Sequence, residues 1–160
     1  MPPNTVVATT TGSLSEPATK YNEDDVFTWE QVYHYVSTNQ IKNIHRNKQV
    51  QTVYDAWMKD TLAKYGTIEK YLLTTKLKFE AMTDPNCPPV IILPNDFPYS
   101  VTPGIHHILL WSQIPLTRLY IQHILDTKYA EFECVYFVNP PEIQSVRKLP
   151  HVHVFMRRRF

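Results

Sequence analysis

Apolar residues recur at helical spacing through the first half of this chain and at strand spacing through the second. The change falls near residue 84. Thr28 with Gln31 three positions on forms a capping box. Trp29, Val32, Tyr33 and Val36 then return at the period of a helix that should end near Thr38-Asn39. A longer helix is expected along Val50, Val53, Tyr54, Trp57, Met58, Leu62 and Tyr65, stopped by Gly66, where a left-handed residue suits a helix end. So regular a stripe reads as a core face, with a shelf for a ligand as the alternative. Thr67 caps a short third helix through Tyr71 and Leu72. The alternation Lys76-Leu77-Lys78-Phe79 is expected to start a strand.

The prolines of Asp84-Pro85-Asn86-Cys87-Pro88-Pro89 make a rigid loop, because a proline and its predecessor are excluded from helix. Strands are expected at Val90–Leu93 and Ile105–Trp111. A helix carrying Leu116, Leu119, Tyr120 and Ile124 follows to about Thr127, and strands at Phe132–Val138 and His151–Arg157 close the chain. Helices first and then β-β-α-β-β, with loop-joined strand pairs, predict an α+β fold: an antiparallel sheet with a packed helix, preceded by a helical layer. Residues 1 to 24 are rich in Thr, Ser, Pro and Asn without apolar periodicity and read as a disordered tail. The remainder, 25–160, reads as a single α+β domain whose residues 25–83 form the helical layer and 84–160 the sheet core.

In a strand alternate side chains share a face, so His151, His153, Phe155 and Arg157 point one way and Val152, Val154 and Met156 the other. The loop before them begins at Asn139, carries Gln144 and Ser145, and ends at Pro150. Three readings of the histidine pair stay open on residues alone. A neutral imidazole is a nucleophile or general base near pH 7, and Ser145 and Asn139 would orient a phosphate beside it. Alternatively His151 and His153 donate two metal ligands, with His106 or His107 as a third. Finally, histidines on a sheet face are often held by backbone groups and serve structure. His106 and His107 are neighbours on a strand, so at most one reaches a shared site. Asn95 and Asp96 beside two prolines read as an Asx turn, or as sugar-binding groups if their loop meets the histidines.

A formal charge of +1 and a pI near 7.8 give no reason to expect nucleic acid or an anionic membrane as partner. Arg157-Arg158-Arg159 reads as a solvated terminus. Cys87 and Cys134 fit no metal or disulfide spacing, no stretch approaches the about 18 apolar residues of a membrane span, and no leader pattern opens the chain. A cytoplasmic or nuclear protein is the expectation.

Two resemblances bear on these residues. Leu93-Pro94-Asn95-Asp96-Phe97-Pro98-Tyr99, Pro103-Gly104-Ile105 through His107 to Trp111-Ser112, Phe137-Val138-Asn139-Pro140, Ser145 and His151–Phe155 are similar to the fungal N-acetylglucosamine-induced protein family, whose function is unknown. That implies an intracellular protein linked to amino-sugar response. More distantly, the turn Phe97 to Gly104, the loop Asn139 to Val146 and the alternating histidines resemble histidine-triad nucleotide hydrolases and transferases. By that resemblance Asn95 or Asp96 would meet a ribose, and Asn139, Gln144 and Ser145 an α-phosphate. One register makes His151 the nucleophile and His153 the third histidine, with Leu149 in place of the first and Arg157 aligned with the family's arginine. The other makes His153 the nucleophile with Phe155 in place of the third. Pro140 and Ile143 stand where the family has glycines that let backbone amides approach phosphate, a loss that weighs against catalysis more than against binding.

The combined expectation is a protein that binds a nucleotide, nucleotide-sugar or other phosphorylated small molecule, or a nucleotidyl or phosphoryl hydrolase or transferase using His151, His153 and Ser145. Asn95, Asp96, Asn139, Gln144 and Arg157 would hold the ligand. A non-catalytic sensor or adaptor is the competing reading and a histidine-ligated metal site the next. No cofactor is implied. The distant resemblance suggests a homodimer, unless the N-terminal helices cover the pairing surface.

Overall fold

The computed structural model describes residues 24–159. The tail expected over 1 to 24 therefore lies outside the described residues, apart from Asp24. Four helices and four strands follow: α1 (Trp29–Ser37), α2 (Lys48–Tyr65), α3 (Ile68–Thr75), β1 (Val90–Pro94), β2 (His106–Ser112), α4 (Arg118–Lys128), β3 (Phe132–Phe137) and β4 (His151–Arg158). Short 3-10 turns lie at Ile41–Asn43 and Pro141–Ile143. The strands form one fully antiparallel sheet in the order β1-β2-β4-β3, and the fold is α+β. No described helix is long and apolar enough to cross a membrane.

Helix boundaries fall where side chains satisfy the free amides of the first turn. Thr28 and Gln31 exchange both bonds of the capping box, and Asn47, Thr67 and Thr117 accept from the amides of Val50, Lys70 and Tyr120. Gly66 ends α2 at φ +89°, a conformation that a side chain would strain.

Both faces of the sheet are covered. Val152, Val154 and Met156 of β4 pack with Ile108 and Leu110 of β2 against Ile121 and Leu125 of α4. On the opposite face Phe155 and Phe137 join Phe27, Trp29, Val32 and Tyr35 beneath α1, while Trp111 joins Ile68 and Leu72 of α3. Phe155 and Val154 are both fully buried, so the alternation read from β4 separates two cores rather than a core from solvent.

A clip fixes the helical layer to the sheet. Phe27 bridges Val101 in parallel, its amide donating to the Ser100 carbonyl (2.8 Å) and its carbonyl accepting from Thr102 (3.0 Å); the Ser100 amide donates to the His45 carbonyl (2.9 Å). This lays the segment Ile44-His45-Arg46 against the β1–β2 loop.

Two expectations need correction. Lys76–Phe79 forms no strand: the Leu77 amide is spent on the Leu72 carbonyl at the end of α3 (2.8 Å), and Leu77 is buried by packing without a ladder. The α2 stripe is no continuous core face either. Val53 and Leu62 are 55% and 41% exposed, while Tyr54 is buried and Trp57 and Met58 pack partly buried against the α3 core, all three also lining a cavity.

Candidate functional site

The cavity lies between the helical layer and the sheet, has a volume of about 100 Å³ and opens to solvent on one side. It is smaller than the roughly 300–1,000 Å³ of drug-sized sites. A cavity of this size holds one small ring or one phosphate group, with the rest of a larger ligand in the opening. Its buried end is polar: Arg46, Tyr99, Asn139 and His153 are each under a tenth exposed. Its sides are aromatic, from Tyr54 and Trp57 of α2, Tyr71 of α3, Phe97 and Trp111. At the rim stand Lys76 and Asp96, ion-paired at 2.6 Å.

The histidines reach this place through strand register. Trp111 of β2 faces His151 of β4, and the rings stack 4.6 Å apart. His153 is opposite Phe137 of β3 and lies parallel to its ring at 4.9 Å. His107 stands on the same face of β2, its Nε2 2.9 Å from His153 Nδ1, and its Nδ1 accepts from the Tyr99 amide at 3.3 Å. His106, next to it, is exposed on the other side. The His153 Nε2 lies 3.2 Å from the side-chain amide of Asn139. Burial drives the affinity of these rings for a proton down: His107 is lowered to about 3, mainly by burial and then by Arg46, and His153 is lowered well below its ordinary value by burial, His107, His151 and Arg46. Both are neutral at pH 7.

His151 is also lowered by burial, less completely, because the Leu149 carbonyl favours its charged form. That carbonyl can only accept, so the 2.9 Å contact assigns the proton to Nδ1 and leaves the Nε2 lone pair without a protein partner among the described residues.

Arg46 was not visible in the sequence pattern. It sits in the connection before α2, yet its Nε donates to the Phe97 carbonyl 51 residues away at 2.7 Å. Its guanidinium lies 4.1 Å over the Tyr54 ring and 5.2 Å from that of Tyr99. It is 6% exposed, forms no ion pair among the described residues, and leaves one terminal nitrogen without a hydrogen bond. A buried guanidinium without an anion is costly, and here the Tyr54 and Tyr99 rings are its cover.

The expected site residues divide accordingly. Asn95, Asp96, Asn139, Ser145, His151 and His153 all line the cavity. Asn95 makes the Asx turn, accepting from the Phe97 amide at 2.9 Å, and Ser145 stands exposed at the rim with Tyr54. Gln144 is turned to the Asn139 carbonyl (2.6 Å) and braces the loop rather than lining the cavity. Arg157 is elsewhere: six strand residues from His151 span about 20 Å, and its guanidinium pairs with Glu133 (3.1 Å) and covers Trp29. The metal set His151, His153 and His107 is not assembled, since His107 and His153 spend facing nitrogens on each other and no group of three or more His, Cys, Asp or Glu among the described residues could hold a metal.

N-acetylglucosamine-induced protein 1 of Candida albicans is 25% identical over 91% of this chain and 74% of its own length. An uncharacterized protein of Saccharomyces cerevisiae, YPL067C, is 26% identical over 80% of this chain and 77% of its own. The crystal structure of HTC1 superposes with a TM-score of 0.65 over 82% of this chain and 85% of that one, and at 23% identity it shares the fold. Residues 28–120 match the family described as "Protein of unknown function (DUF3605)", more than half of the sequence, and the chain belongs to that family.

Proposed function

We propose that this protein binds a small phosphorylated ligand, a nucleotide, nucleotide-sugar or amino-sugar phosphate, in the cavity between α2, α3 and the sheet. The observation that carries this reading is Arg46, a buried guanidinium with an unused nitrogen at the polar end of a cavity walled by aromatic rings. The guanidinium suits a phosphate and the rings suit a base or the apolar face of a sugar. The name of the Candida relative adds amino-sugar phosphates to the candidates.

Thermal-shift measurements against nucleotides, UDP-sugars and amino-sugar phosphates test it. At about one hundred times Kd, one ligand should stabilise the wild type by roughly 2.7 kcal/mol, a rise of several degrees in Tm. His151→Ala should weaken that rise. A melting temperature unmoved by all of them overturns the proposal and favours an adaptor that works through its surface.

His151 supports a second, catalytic reading. A neutral imidazole whose Nδ1 proton is held by a carbonyl directs its Nε2 lone pair into the cavity. Attack on a ligand phosphorus would break its bond to the leaving oxygen and give a phosphorus–histidine adduct that water resolves. Phosphorus NMR of the protein with its stabilising nucleotide should then show new resonances that His151→Ala abolishes; an unchanged spectrum limits the protein to binding.

A further inference from the structure

Hydrogen-bond polarity along the buried end of the cavity can be followed from one fixed donor. The Tyr99 backbone amide can only donate, so His107 Nδ1, 3.3 Å away, must be the acceptor. A neutral imidazole carries one proton, so that of His107 is on Nε2 and is donated to His153 Nδ1 at 2.9 Å. The single proton of His153 is then on Nε2, which needs an acceptor. Its neighbour at 3.2 Å is the Asn139 amide, and only the amide oxygen can accept. Oxygen and nitrogen of an amide are alike in shape, and the network decides between them. The oxygen of Asn139 therefore faces His153, where it also lies near the Tyr99 hydroxyl (3.4 Å). Its NH2 occupies the amide position that has no hydrogen-bond partner.

This leaves two residues of the cavity lining each with an unmet hydrogen bond at an atom closed to water, and both unmet groups are donors: the Asn139 NH2 and the terminal nitrogen of Arg46. Asn139 and Arg46 are 5% and 6% exposed. A hydroxyl would offer a donor of its own to the pair, and a neutral carbonyl would accept but leave the Arg46 charge unbalanced. An oxyanion offers acceptors alone and also supplies the charge that Arg46 lacks. The nearest carboxylate on the cavity wall, Asp96, is at the rim and neutralised by Lys76.

We infer that the buried end of the cavity is an oxyanion subsite made by Arg46 and Asn139, that the ligand enters with its phosphate group first, and that His107 and His153 are positioning residues that hold the Asn139 amide with its NH2 towards the ligand. This rests on the cavity being a ligand site, and it assigns the deepest group there. His153 does not handle a proton in it: its one proton is committed to Asn139, and its other nitrogen is occupied by His107. His151, with a free Nε2, stands beside the oxyanion as an acceptor for a protonated phosphate oxygen or a bound water.

Two measurements test the inference. The first needs no ligand: long-range proton–nitrogen correlation of the histidine rings should show both His107 and His153 protonated on Nε2 and His151 on Nδ1. A His153 protonated on Nδ1 overturns the relay. The second uses matched probes, AMP against adenosine and N-acetylglucosamine 6-phosphate against N-acetylglucosamine, with inorganic phosphate alone as the minimal probe. The phosphorylated member of at least one pair should bind the wild type at least tenfold more tightly, and inorganic phosphate should compete with it. Arg46→Met and Asn139→Asp should each reduce that preference at least tenfold; Asn139→Asp still accepts from His153 but presents an oxygen where the donor stood. Neutral members that bind as tightly as phosphorylated ones would leave the cavity a ligand site and refute the oxyanion subsite. If no member of either pair binds, and no UDP-sugar does, both readings fall. Should Arg46→Met not fold, the wild-type pairs and the ring spectra decide alone.

Discussion

At the scale of single residues, the chemistry is set by which groups are denied water. His107 and His153 are buried neutral, so folding is linked to protons. His107 holds its proton only below about 3, and His153 is likewise lowered well below its ordinary value. In the unfolded chain both return to about 6.5. Between those limits the unfolded state binds protons that the folded state refuses, so stability is complete above pH 6.5 and is lost as pH falls. Each histidine contributes a slope of about 1.4 kcal/mol per pH unit there. Urea denaturation at pH 7.5, 6 and 5 should show a falling midpoint, with about two protons taken up per molecule on unfolding near pH 5. Equal midpoints at pH 7.5 and 5 would mean that the rings are charged or solvated. The converse holds at Tyr99, whose hydroxyl is raised to about 12, first by burial, and stays a hydroxyl through this range.

At the scale of elements, what was legible in the sequence is what depends on neighbours in the chain. The capping box of α1 and the Thr67 cap before α3 are local bonds, and the alternation in β4 is a property of extended backbone. Gly66 belongs with them. It ends α2 at φ +89°, and a Cβ there would meet nothing within 4 Å. Gly66→Ala should therefore cost about 1 to 2 kcal/mol from backbone strain alone, read as a lower urea midpoint with unchanged ligand affinity; a neutral result would show that α2 can end otherwise. The rest was illegible because it is made by distant packing. Periodicity shows that Tyr54 and Trp57 share a face of α2, but not that the face looks into a void beside Phe97. Alternation at Lys76–Phe79 reports the burial of Leu77 without showing that its amide is already used. Arg46 carries no periodic signal, since its role is created by the Phe97 carbonyl 51 residues later. Arg157, chosen by resemblance, was misplaced because register along β4 converts six residues into a long distance from His151.

At the scale of the molecule, the candidate site joins two layers anchored with unequal strength. The sheet is packed on both faces, and β4 buries five consecutive residues from Val152 to Met156. α1 buries Trp29, Val32 and Tyr35 in nine residues, whereas α2 buries only Tyr54 and Thr61 in eighteen. Trp57 and Met58 on the inward side of α2 are only partly buried, packing against the α3 core beside the cavity, so fewer apolar contacts resist its local opening. Hydrogen exchange in the free protein should therefore be fastest, among the helices, in α2, and slowest in β4. A ligand seated between Arg46, Trp57 and Tyr71 replaces the missing packing and must order α2 to be enclosed. Its binding energy should then appear as slowed exchange in α2 and α3, with β4 little changed because its opening already approaches global unfolding. Mutation separates this from general stabilisation: Phe155→Ala, which empties a fully buried position beneath α1, should cost about 3–5 kcal/mol and speed exchange everywhere. Arg46→Met should leave the free pattern of β4 intact and abolish the ligand-dependent slowing in α2. If α2 in the free protein exchanges as slowly as β4, the cavity is a rigid packing defect and a ligand has nothing there to order.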